Sequence, residues 1–127
     1  MFLKFIKKIL PRELHSDFET VIIDNPSKVE RHKYFPGGPG TYHFEFVCHQ
    51  DNEFLVWVGK AMGGLGRFAG SPTPKIRVAG EDERISITLE GSEFNMEKAD
   101  YWLVKVRAVS FCRKHGDRLD IYMTRKE

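Results

Sequence analysis

The sequence predicts a mostly β fold, a small antiparallel β-barrel preceded by an N-terminal amphipathic helix. Three observations predict it. Beyond residue 15, apolar side chains recur at every second position. The alternating runs are short, about six or seven in number, and clusters of Gly, Pro, Asn and Asp separate them. The longest run, Tyr101–Cys112, has the length of a strand that bends across a barrel corner, and its alternation weakens at Ala108–Val109, where a bulge would fit. The same strand count also suits a sandwich.

The opening MFLKFIKKILP has helical spacing. Phe2, Phe5, Ile6 and Ile9 share one face, Lys4, Lys7 and Lys8 lie elsewhere, and Pro11 ends the pattern. The expectation is a helix over 1–11, with the barrel over 18–124. The stretch is too short and lysine-rich for a secretory signal. Its apolar stripe is expected to pack on the domain; docking on a protein partner or a second copy is the alternative, and a membrane interface is disfavoured.

Thr20–Asp24 is a β-branched run ended by the turn pair Asn25-Pro26. Residues 27–35 are polar and carry no clear signal, and Pro36–Gly40 is a loop. In Thr41–His49, Tyr42, Phe44, Phe46 and Cys48 oppose His43, Glu45, Val47 and His49. After Gln50-Asp51-Asn52, Glu53–Lys60 sets Phe54, Val56 and Val58 against Leu55 and Trp57. Two alternating runs joined by three polar residues predict an antiparallel hairpin with its aromatic side on the core. Ala61–Pro74 is a long Gly/Pro-rich loop, of a length that signals function or mobility. Further strands follow at Lys75–Ala79, Arg84–Glu90, Tyr101–Cys112 and Leu119–Thr124, with a helical turn expected around Asn95–Ala99.

Composition bounds the function. With 127 residues, 41% hydrophobic and 30% charged, the chain is a single domain with no second core and no disorder signature. Apolar runs are too short to span a bilayer. The net charge of +2 requires any nucleic-acid surface to be a local patch. Cys48 and Cys112 form no CxxC, which points to the reducing cytoplasm.

The run Phe54-Leu55-Val56-Trp57-Val58-Gly59-Lys60 after a strand and turn, followed by Ile85-Ser86-Ile87-Thr88-Leu89 and Tyr101–Phe111, resembles the OB-like single-stranded-DNA-binding modules of phages and mobile elements. The resemblance spans residues 41–112. It implies an OB-like barrel, a viral or mobile-element protein and a single-stranded nucleic-acid ligand.

Single-strand binders need aromatic faces for bases and cations for phosphates. His43, Trp57 and Phe68 are the stacking candidates; Lys60, Arg67, Lys75, Arg77, Arg84, Lys105 and Arg107 are the cations. Gly63, Gly64 and Gly66 match neither phosphate-loop pattern, although the 61–74 loop could close on a small nucleotide with Arg67 as its anion contact. A zinc site from Cys48, His49, Cys112 and His115 is disfavoured, because adjacent strand residues point to opposite faces. Ser71 and Ser92 lack a nucleophile elbow. The expectation is a non-enzymatic nucleic-acid binder without cofactor or metal. The alternatives are a small protein-interaction or inhibitor protein, using Phe2, Phe5, Ile6 and Ile9 or an edge strand, and a nucleotide-sequestering protein.

Overall fold

A computed structural model describes residues 14–49, 51–62, 64, 66–81, 83–91, 101–110 and 117–126. They form eight strands: β1 (Leu14–Ile23), β2 (Glu30–Pro36), β3 (Thr41–Cys48), β4 (Glu53–Ala61), β5 (Ile76–Ala79), β6 (Arg84–Glu90), β7 (Tyr101–Ser110) and β8 (Asp117–Lys126). No helix occurs among the described residues. The helix expected over 1–11, with Phe2, Phe5, Ile6 and Ile9, and the turn around 95–99 lie outside them.

The strands make two antiparallel four-stranded sheets. Sheet A has the order β1-β8-β3-β6 and sheet B the order β2-β7-β4-β5. Every connection crosses from one sheet to the other except β4 to β5. Eight strands in two sheets wound this way make a jelly roll. The OB-like closed barrel is therefore corrected to an open two-sheet sandwich whose edge strands, among the described residues, are β1, β6, β2 and β5.

The predicted hairpin is the instructive error. β3 pairs with β6 and β8, and β4 with β5 and β7, so the two runs face each other across the core. Asp51 and Asn52 lie at the corner between them. Asn52 is buried there; its carbonyl accepts hydrogen bonds from Gly80 N (3.0 Å) and Cys48 Sγ (3.6 Å). Alternation reports which face is buried and cannot tell a hairpin from a sandwich corner.

The inward faces agree with the periodicity. Tyr42, Phe44 and Phe46 of β3 and Leu119, Ile121 and Met123 of β8 meet Phe54, Val56, Trp102, Val104 and Val106 of sheet B. Edge-on ring contacts tie the layers together, with Phe35 at 5.6 Å from Phe44 and Trp102 at 5.2 Å from Tyr42. Such pairs add about 0.5–1.5 kcal/mol each beyond burial. Glu53 opposes Ser110 while Phe54 opposes Ala108, which makes Val109 the extra residue of a bulge at the place where the alternation weakens.

Candidate functional site

The strand register gathers cations on the outward face of sheet B. Lys105 lies opposite Trp57, and Arg107 opposite Leu55. On the other side of β4, Leu55 lies opposite Arg77, and Lys75 follows just before β5. Trp57 and Leu55 are thus bracketed by Lys75 and Arg77 on one flank and by Lys105 and Arg107 on the other. β2 contributes His32 opposite Lys105 and Tyr34 opposite Leu103.

The long loop lies across this face. Gly59 leaves bare backbone, and Phe68 occupies the space: its ring is 2.6 Å from where a Cβ would stand. Hydrogen bonds hold the segment along β4, from Ala69 N to Lys60 O (2.7 Å), from Thr73 N to Val58 O (2.8 Å) and from Val58 N to Thr73 Oγ1 (3.0 Å). Gly66 N donates to Tyr34 Oη at 2.5 Å. The cover buries Leu103 completely although its side chain points away from the core.

Two lysines lie over rings on this face. Lys75 Nζ is 4.9 Å from the Trp57 ring centroid, and Lys105 Nζ is 5.2 Å from that of Phe68. Trp57 does point outward from the core side, but it is only 9% exposed, so the indole expected as an open stacking platform is capped. Phe68 is half-buried, and Tyr101, which the sequence reading did not single out, is the more open ring of this face. Glu53 Oε2 accepts from Arg77 Nε at 2.6 Å, and this bond raises the guanidinium's already high pKa.

The remaining candidates lie elsewhere. Arg67 is exposed on the loop. Lys60 points to the inner side, where it lines a cleft of about 550 Å³ with Trp102, Leu89, Glu90 and the 69–73 segment. His43 and Arg84 are on the outward face of sheet A; His43 Nδ1 is 3.3 Å from Thr88 Oγ1, and Arg84 pairs with Glu45 at 2.9 Å. The structure thus unites Trp57, Phe68, Lys75, Arg77, Lys105 and Arg107 and separates Lys60, His43 and Arg84 from them.

Sheet A carries a second polar group that sequence spacing did not reveal. Asp120 is buried on its outward face, where Thr20 of β1 lies opposite it on one side and Val47 of β3 on the other. Its Oδ1 accepts from Thr20 Oγ1 (2.8 Å) and Arg118 Nε (3.2 Å), and its Oδ2 from His49 Nε2 (2.5 Å) and Arg118 Nη2 (3.1 Å). Burial pushes the carboxyl pKa up, but the hydrogen bonds from Arg118, Thr20 and His49, with the Arg118 charge, outweigh it and hold it below the usual range. An ionised carboxylate only accepts, so His49 Nε2 carries the proton. Beside this cluster Phe18 and Tyr122 pack ring to ring at 4.8 Å, and Phe18 and Ile22 are about half exposed.

No known family matches the chain, and no curated protein matches it in sequence. Solved structures do match in shape. The Clostridium perfringens CspB protease aligns with 87% of this chain at a TM-score of 0.54 and 12% identity. The dTDP-4-dehydrorhamnose 3,5-epimerase of Sulfolobus tokodaii aligns over the whole chain at 0.47 and 13%, and the Tobacco streak virus coat protein over 93% at 0.44 and 10%. The chain spans 60% of the epimerase, 25% of the protease and 89% of the coat protein. At these identities the likeness extends to the fold alone.

Proposed function

We propose that this protein is a non-enzymatic nucleic-acid binder that holds a single strand on the outward face of sheet B. One observation carries the reading: Lys75, Arg77, Lys105 and Arg107 converge around Trp57 in a chain whose net charge is only +2. A phosphate backbone laid across β7, β4 and β5 meets these cations in succession. Tyr101 and the open side of Phe68 are the rings beside that track, and a stacked base adds about 1–3 kcal/mol.

Fluorescence anisotropy of a labelled single-stranded oligonucleotide over a salt series tests this. The logarithm of the affinity is expected to fall linearly with the logarithm of salt, by about 0.7 per phosphate contact. Lys105→Gln with Arg107→Gln weakens binding at least about tenfold, whereas Arg84→Gln on the opposite sheet leaves it unchanged. Absence of salt-sensitive binding by the wild type, or equal loss from both faces, overturns the reading.

A further inference from the structure

Edge strands invite pairing with other chains, and folds blunt them with inward charges, proline or short length. Three of the four edges here are blunted. β1 turns Asp17 and Glu19 to the inner side, opposite Met123 and Ile121 of β8. β2 turns Arg31 and Lys33 inward, with Lys33 Nζ reaching Glu19 at 3.5 Å, and ends in Pro36. β5 has four residues and follows Pro72 and Pro74.

β6 has none of these devices. It runs for seven residues in clean alternation, with no proline, no bulge and no inward charge. Its inner residues Ile85, Ile87 and Leu89 are only half-buried, although they pack against the core. Among the described residues its sole strand partner is β3. Cys48 N donates to Glu83 O at 3.0 Å and Gly91 N to Gly40 O at 2.7 Å. Since hydrogen-bonded pairs alternate along an antiparallel ladder, the odd-numbered residues of β6 turn their backbone groups to β3. The N–H and C=O groups of Arg84, Ser86, Thr88 and Glu90 therefore point away from the sheet.

We infer that β6 is a dimerisation edge, which pairs antiparallel with β6 of a second copy of this chain about a two-fold axis at Ile87. The sequence of the strand is self-complementary in that register. Arg84 falls opposite Glu90 of the second copy, Ser86 opposite Thr88, and Ile85 opposite Leu89. All four outward-turned residues of each strand then meet outward-turned residues of the other, as hydrogen-bonded pairs require. Opposite charges face each other at both ends, a favourable cross-strand pairing. The half-exposed isoleucines close over one another on the inner side, and the symmetric contact is the self-complementary kind that a two-fold dimer needs. A joined sheet A would place the two cationic faces of sheet B on the outside of the dimer.

Sedimentation velocity of the full chain over a concentration series tests this. The wild type is expected to dimerise, whereas Arg84→Glu alone sets Glu against Glu, Glu90→Arg alone sets Arg against Arg, and each is expected to weaken association at least about tenfold. An equimolar mixture of the two variants places Glu opposite Arg at both ends and restores the dimer. Thr88→Pro removes an N–H that points away from β3, so the far-ultraviolet circular dichroism stays native while the dimer is lost. A wild type that stays monomeric up to about 1 mM, beyond which only very weak association would form, overturns the inference. So does a dimer that survives Arg84→Glu and Thr88→Pro, or a mixture that fails to associate better than either variant alone.

Discussion

The two outward faces of the sandwich are built from the same alternating pattern and end as different surfaces. On sheet B, Lys105, Arg107, Arg77 and Lys75 surround a tryptophan, and a loop seated on Gly59 seals Leu103 beneath it. On sheet A a connection reaches the face through a side chain, His49 Nε2 to Asp120. Phe18 and Ile22 stand about half in solvent, and the charges are locally neutralised, Arg84 by Glu45 and Arg118 by Asp120. The contrast shows that period-two patterning sets which residues leave the core, while the connections decide what becomes of them. On sheet B the outward indole of Trp57 is roofed and structural; on sheet A the outward ring of Phe18 is left open.

Four measurements break or sharpen that contrast. The largest effect is expected from Trp57→Ala. Loss of a nearly buried indole costs about 3–5 kcal/mol in urea unfolding, against less than about 1 kcal/mol for Phe18→Ala on the open face. Equal costs would erase the distinction between roofed and bare. Next comes Asp120→Ala, which strips four donor groups on Thr20, His49 and Arg118 of their shared acceptor and costs about 2–3 kcal/mol, while oligonucleotide affinity at sheet B stays unchanged.

The third is a pH effect. The folded-state pKa of Asp120 lies below its unfolded value, so its contribution is present above about pH 4, the usual carboxylate range, and is lost as pH falls through the folded pKa. The stability gap between wild type and Asp120→Asn should therefore narrow on acidification from neutrality towards pH 2. A gap that widens in acid contradicts the assignment. The smallest effect belongs to Glu53→Gln. Its ion pair with Arg77 is partly solvated, so stability should change by less than about 1 kcal/mol. Freed from its carboxylate, Arg77 should tighten oligonucleotide binding by about threefold.

Much of the strand inventory was legible in the sequence, because one face of each strand is buried and apolar side chains must then recur every second residue. Faces were readable at Tyr42–Cys48, Phe54–Val58, Ile85–Leu89 and Trp102–Ala108. Partners were not, since nothing in residues 41–60 separates side-by-side strands from strands stacked across a core. β2 escaped notice because Arg31 and Lys33 occupy its inward positions, a charge pattern that protects an edge and conceals a strand. The cations of the candidate site were legible as residues opposite apolar ones. The capping of Trp57 was not, as it depends on Lys75 folding back over a ring. The Asp120 cluster joins β1, β8 and the end of β3, so its members are far apart in the chain.

In sheet A, the first described strand lies against the last: Leu14 is opposite Lys126 and Ile23 opposite Asp117. As the polypeptide leaves the ribosome, β1 is made before the other described strands and its partner β8 is the last of them to be translated. Its companion layer can begin to assemble sooner, since β4 and β5 are neighbours along the chain and β7 precedes β8. Such long-range closure slows folding and keeps an incomplete edge waiting until β8 is made.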